Sequence, residues 1–140
     1  MTMAEIEGRL PAGFHDATLL NVAIDYEKLE ARIEFKLWLP NEAERETYAR
    51  ATLLLENIQY LIIEPPSLNT YINRAEHDES TVDGYITNSR GADVVPPLCD
   101  GMFAYSLFVF NWNSSIHVAA TSAKLEPENL LEPRETSNEV

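Results

Sequence analysis

From Lys28 to Leu39 every second residue is apolar: Leu29, Ala31, Ile33, Phe35, Leu37 and Leu39 alternate with Lys28, Glu30, Arg32, Glu34, Lys36 and Trp38. Successive side chains of a pleated strand point to opposite faces, whereas a helix would scatter these charges around its circumference. The stretch is therefore a strand with one buried and one wet face, and it requires a sheet to belong to.

The segments around it carry the same rhythm. Leu20, Val22, Ile24 and Tyr26 share a phase, and the polar break Asp25-Tyr26-Glu27-Lys28 suits a tight connection, so this run pairs with the long strand as a hairpin. Pro40 and Asn41 end the long strand, and Asn41 to Glu46 is either a short capped helical turn or a charged loop. Ala49, Ala51, Leu53 and Leu55 form a further strand. Its phase slips at Asn57 and continues as Ile58, Tyr60 and Ile62, the mark of a bulge or a sharp bend, until Pro65-Pro66 stops it. Asn69 to Arg74 suits a helical turn, His77 to Ser80 a loop, Val82 to Asn88 a short strand, and Arg90 to Asp93 a turn. Phe103 to Phe110 has large residues in both phases, which suits a central strand covered on two sides. Asn111-Trp112-Asn113-Ser114 is turn chemistry, and Ile116, Val118 and Ala120 make the return strand.

The fold class that follows is all-β and mostly antiparallel: a meander closed as a β-sandwich or partly open barrel, with one or two short helical turns. Residues 1–125 form one β domain, and 126–140, with its glutamates and prolines, reads as an acidic, loose tail. A length of 140 residues with 45% hydrophobic composition suffices for one core without a metal or disulfide. The single cysteine, Cys99, lies beside Asp100, which works against a reactive thiolate.

Twenty-three acidic residues against ten Lys and Arg leave a formal charge of −13. Such a chain repels phosphate backbones and anionic headgroups and attracts a basic protein. No basic, apolar leader opens the sequence and no apolar run approaches a membrane span, so the expected setting is the cytoplasm. The long strand needs its edge covered, as a monomer or as a homodimer.

Motifs with a mechanical reason are missing. The five glycines are dispersed, there is no paired-cysteine zinc pattern, no two histidines stand four apart, and no Gly-x-Ser-x-Gly turn occurs. No metal, cofactor or catalytic residue is assigned, and an enzyme is the less favoured reading. What remains is a polar set, His15, Asp16, Asn111, Asn113 and His117. Were they to converge, two imidazoles and a carboxylate would suit a divalent ion or acid–base work. The competing reading is turn chemistry and a hydrogen-bonded histidine on a sheet face. Trp38, on the charged phase of its strand, and Trp112 are candidate contact aromatics.

Phe14-His15-Asp16-Ala17-x-Leu19-Leu20 with the Ile24-Asp25-Tyr26 turn, together with Asn111-Trp112-Asn113-Ser114 and Ile116-His117, resembles small uncharacterised bacterial β-rich domains that open with a His-Asp-Ala or His-Asp-Ser signature. Some of these look like immunity proteins of polymorphic toxin systems. The resemblance implies a β-rich domain without an assigned catalytic residue. Three functions follow: an interaction module, immunity-like, for a basic partner; a metal-dependent or acid–base enzyme on His15, Asp16 and His117; or a small-molecule binder lined by Trp38, Trp112, Tyr105 and Phe110. The first is favoured.

Overall fold

The computed structural model describes residues 1–41, 45–67, 81–86 and 95–128, with only the backbone at 85 and 86. The expected Asn69–Arg74 turn, the loop over His77 to Ser80, the Arg90–Asp93 turn and the part of the tail beyond 128 lie outside these residues. Among these residues one helix, α1 (Met3–Gly8), precedes eight strands: β1 (Ala17–Asp25), β2 (Glu30–Trp38), β3 (Tyr48–Glu56), β4 (Tyr60–Ile63), β5 (Thr81–Ile86), β6 (Phe103–Val109), β7 (Ser114–Ala120) and β8 (Ser122–Pro127). They form a single sheet in the order β4-β7-β6-β5-β1-β2-β3-β8, and every neighbouring pair is antiparallel. The all-β expectation holds. Two three-stranded meanders, β1–β3 and β5–β7, make up most of it, and the sheet is not closed into a barrel.

The long strand is β2, two residues shorter at its start than the alternation suggests. Its buried residues are Ala31, Ile33, Phe35 and Leu37, with Arg32 and Lys36 exposed. Each fully buried Ile, Leu or Phe contributes roughly 1.5–3 kcal/mol by leaving water. Lys28 and Leu29 belong instead to the turn: Asp25 Oδ1 accepts from the Glu27 and Lys28 amides, and Leu29 sits at φ 56° with its side chain exposed. The β1–β2 hairpin forms as expected, Asp25 opposite Glu30.

The face of β1 differs from the sequence reading. A register shift between Leu19 and Asn21 makes Leu20 the extra residue of a bulge, and a one-residue slip moves side chains to the opposite face. Leu19 and Val22 consequently both meet the core with Ala17, while Leu20 is exposed; Ile24 shares the face of Val22 but is exposed near the hairpin end, and Tyr26 is exposed in the turn.

Asn57, at φ 54°, is a corner and more than a bulge. Up to Glu56 the chain pairs with β2 and β8; from Tyr60 it pairs with β7 at the far end of the strand order. The β7–β8 segment turns the same corner at Thr121, whose amide donates to Glu56 O. The sheet is thus curled so that its two ends meet here, around a core that includes Phe14, Phe35, Leu53, Tyr105 and Leu107.

Helix α1 was absent from the sequence reading, although its signal is present in Thr2-Met3-Ala4-Glu5. The Thr2 hydroxyl accepts from the Glu5 amide, and the Glu5 carboxylate accepts from the Thr2 amide, a reciprocal cap. Met3 and Ile6 bury against the open side of the curled sheet. Glu7 accepts a hydrogen bond from the Tyr105 hydroxyl, pinning the helix to β6. Strand β8 carries the ordered β domain two residues past the expected boundary at 125: Glu126 and Pro127 pair with Thr52 and Ala51. Asn41 to Glu46 is described only in part, with the Asn41 side chain bridging Leu39 O and the Arg45 backbone.

Candidate functional site

The side chains of β6 alternate between two buried environments. Tyr105, Leu107 and Val109 face the core, while Ala104 and Ser106 lie on the opposite face and are buried as well. On β7, Ile116 and Val118 face the core, and Ser115, His117 and Ala119 face away with Ser106. The expectation of a central strand covered on two sides is met.

On this second face the hairpin register puts Ser106 directly opposite His117. Ser106 Oγ lies 2.6 Å from His117 Nδ1, and Glu64 Oε2 lies 2.9 Å from His117 Nε2. Glu64 follows edge strand β4, and its other oxygen, Oε1, accepts from the Ser115 amide at 2.8 Å. A carboxylate only accepts, so His117 donates through Nε2–H. In the neutral imidazole Nδ1 then accepts from the Ser106 hydroxyl, and in the imidazolium Nδ1–H donates to it. Burial pushes the Glu64 carboxyl up, but the hydrogen bonds from His117 and the Ser115 amide and the His117 charge outweigh it and hold the group below its ordinary value.

A serine, an imidazole and a carboxylate in one line are the parts of a nucleophilic relay. Here, however, Ser106 has 0% exposure and His117 3%, so the hydroxyl has no open side from which a substrate could approach it. What the arrangement does chemically is satisfy two buried polar side chains, Ser106 and His117, through the half-buried Glu64, and tie the segment after β4 to β6 and β7.

The predicted polar set divides into separate places. His15 stands between two carboxylates, Asp16 at 3.5 Å and Asp83 at 3.6 Å, with all three about half exposed or more. Asp16 adopts φ 63° and its amide donates to Val82 O, so it shapes the entry into β1. Asn113, at φ 51°, is the left-handed residue of the β6–β7 turn and donates from its amide to Ser67 Oγ at 3.0 Å. Asn111 is buried in the same turn. The structure brings His15 and Asp16 together with Asp83, and His117 together with Ser106 and Glu64. Among the described residues no group of three His, Cys, Asp or Glu side chains is placed to hold a metal ion.

Sequence reasoning missed Glu64 and Ser106. The turn between β6 and β7 spans 110–113, one residue earlier than the expected 111–114. That single step pairs His117 with Ser106, whereas the expected turn pairs it with Phe108. A serine within an otherwise apolar strand is the signal that could have found it.

Two open recesses are apolar. One, of about 340 Å³, is lined by Leu19, Leu20, Asn21 and Val22 of β1 and by Ile63, Val109, Trp112 and Ile116. Another, of about 240 Å³, brings Trp38 against Pro11, Pro40 and Asn41. The candidate aromatics Trp38 and Trp112 are thus both half-buried at recess walls, while Tyr105 is fully enclosed in the core and Phe110 stacks edge-on against Phe108 at 5.2 Å. Burial, then the Glu7 hydrogen bond and charge and the charge of Asp83, push the Tyr105 phenol far above its ordinary value, so it remains a neutral donor. No helix among the described residues is long and apolar enough to cross a membrane. Comparison of the chain with protein-family models, curated proteins and solved structures gave no match.

Proposed function

We propose that this protein is a non-enzymatic interaction module for a basic protein, immunity-like in the sense that its opening and closing motifs suggest, acting in the cytoplasm and without affinity for nucleic acid or membrane. The observation that carries this reading is the division between closed chemistry and open surface. The serine and histidine of the polar line are buried, whereas the accessible feature is an apolar groove with exposed Leu20 and Ile63 on a chain of formal charge −13. An apolar contact patch within an acidic field is what a basic partner recognises: charge speeds encounter, and burial of the patch supplies affinity.

The test is retention from native cytosol at low salt, followed by titration of the recovered partner across ionic strength. The expected outcome is a basic protein whose affinity falls steeply as salt rises, and duplex DNA that does not bind. Recovery of no basic partner, or binding insensitive to salt, refutes the reading. A second reading, a small-molecule binder, is favoured by the volume of the groove, which lies in the range of ligand clefts. Its signature is a saturable change in Trp112 fluorescence with an apolar probe, abolished by Ile63→Asp.

A further inference from the structure

The outward side chains of β2, β3 and β8 form rows that run across the three strands. The ladder register sets Arg32, Leu54 and Lys124 in one row and Glu34, Thr52 and Glu126 in the next. Beyond the second of these rows Lys36 stands opposite Arg50, and beyond the first Glu30 and Glu56 follow the Ala31–Leu55 pair. Read along the strands, the rows alternate in sign: Glu30 and Glu56, Arg32 and Lys124, Glu34 and Glu126, Lys36 and Arg50. Neighbouring rows are about 6.8 Å apart, two residues of extended chain.

This face differs from the rest of the molecule in charge. Its four rows hold as many cations as carboxylates, on a chain with 23 acidic residues against ten Lys and Arg. It is also open: the side chains of Arg32, Arg50, Lys124 and Glu126 are 52%, 54%, 59% and 56% exposed, and Lys36 is exposed too. Stability of the sheet alone does not account for the stripes. Opposite charges directly across a ladder stabilise it and like charges destabilise it, yet Lys36 faces Arg50. The ion pairs instead run obliquely between rows, Arg50 to Glu34 at 3.2 Å, Lys124 to Glu56 at 3.8 Å and Arg32 to Glu126 at 4.0 Å. Glu128, just past β8, lies 4.0 Å from Arg50. Pairs this exposed contribute little in water.

We infer that the outer face of β2, β3 and β8 is a self-association surface for a second copy of this chain, related by a two-fold axis that crosses the strands between the Arg32 row and the Glu34 row. Such an axis lays each strand over its own counterpart with the direction reversed. Arg32 then lies over the partner's Glu34, Lys124 over the partner's Glu126, Glu30 over the partner's Lys36, and Glu56 over the partner's Arg50. Symmetry repeats each pair, and Leu54 meets the partner's Thr52 beside the axis. An axis along the strands sets every row on itself, like charge on like, so complementarity selects the reversed arrangement. Aligned sheet packing, with strands about 30° apart, accommodates it.

The outer face of a curled sheet is convex, so contact is confined to these rows, a footprint of roughly 400 Å² on each copy. A standard interface takes about 800 Å² per partner, so this dimer is weak and forms as concentration rises. Ile63 and Trp112 of the groove take no part in it, and the inference stands apart from the interaction-module reading.

Sedimentation velocity of the full chain, from micromolar to millimolar concentration, tests it at physiological salt, where charges beyond about 8 Å are screened. The wild type is expected to dimerise reversibly. Arg32→Glu sets a carboxylate over the partner's Glu34, and Glu34→Arg sets a guanidinium over the partner's Arg32. Each variant alone therefore associates at least about tenfold more weakly. Mixed in equal amounts, the two variants associate with each other, because every reversed charge in the mixed pair faces its opposite. Recovery in the mixture also shows that both variants are folded. Lys124→Glu with Glu126→Lys repeats the test on β8 and decides the matter if either β2 variant loses its far-ultraviolet β signal.

A wild type that stays monomeric at millimolar concentration overturns the inference. So does a dimer that neither reversal weakens, which assigns association to another surface. A mixture that associates no better than its components overturns it as well, because the rows then do not face each other.

Discussion

Replacing Glu64 by glutamine tests the buried polar line, because it preserves shape and changes only the supply of acceptors. Glu64 accepts twice, from the Ser115 amide at 2.8 Å and from His117 Nε2 at 2.9 Å. Glutamine has one carbonyl oxygen and one NH2 group. The Ser115 amide cannot change its role, so it keeps the oxygen and leaves NH2 facing His117. The imidazole accommodates this by moving its proton: Nε2 becomes the acceptor, Nδ1–H the donor, and the Ser106 hydroxyl 2.6 Å away turns to accept.

Every group in Glu64→Gln is still paired, and the loss is the difference between charged and neutral hydrogen bonds, about 1 kcal/mol. Glu64→Ala instead leaves the Ser115 and His117 donors without an acceptor, at roughly 1–3 kcal/mol each where water cannot reach them. Glu64 is 30% exposed, so water relieves part of this and the expected total is about 3 kcal/mol. Urea denaturation at mildly alkaline pH measures both costs, and the nitrogen shifts of His117 report the tautomer. If Nε2 remains protonated in Glu64→Gln, or if the two variants are equally destabilised, the proposed line of donors is wrong.

The same group carries a pH dependence. A carboxyl held below its unfolded value contributes stability that is complete above the ordinary range, near about 4.3, and is lost as pH falls through the lower folded value. The gap between wild type and Glu64→Gln therefore shrinks as pH falls through the carboxylate range; a gap that widens across that range refutes the assignment. Gly84→Ala sets a methyl group into the Tyr105 ring and costs about 2 kcal/mol in urea, partly restored by Tyr105→Phe, since the hydroxyl is the nearest atom. Leu29→Gly, at φ 56° with an exposed side chain, raises the urea midpoint, because the left-handed backbone costs a leucine about 1–2 kcal/mol and glycine little. Phe35→Ala, at 0% exposure against Phe14 with ring centres 5.0 Å apart, lowers stability by about 3–5 kcal/mol.

Much of the sheet was legible because alternation is a local property. Ala31, Ile33, Phe35 and Leu37 declare their buried face without reference to any other segment, and Asp25 to Lys28 declares the hairpin. Legibility stopped where the count slips. The extra residue at Leu20 puts Leu19 and Val22 on one face and leaves Leu20 off it, and nothing local distinguishes a bulged run from a regular one that buries Leu20 with Val22. The Asn57 slip was visible, but a slip does not say whether a strand bulges in place or leaves for the other end of the sheet. Helix α1 carried a readable cap and was overlooked because six residues are too few to show a helical period.

The candidate site was less legible than the fold for a related reason. His117 was recognisable as a polar residue on a strand, but its partners come from another strand of its hairpin and from an edge strand 53 positions earlier. A one-residue change in turn placement exchanges Ser106 for Phe108 opposite it.

Amino-acid order alone determined that this chain forms two-faced strands, carries a strong negative charge and owns no local catalytic motif, since each depends on neighbouring residues or on composition. Tertiary structure decided which strands meet, that Glu64, His117 and Ser106 form one line with its serine and histidine buried, and that an apolar groove lies between β1 and Ile63, Trp112 and Ile116. Those outcomes depend on ladder register and on where the sheet bends, and long-range pairing is settled by packing of the whole core rather than by any single segment.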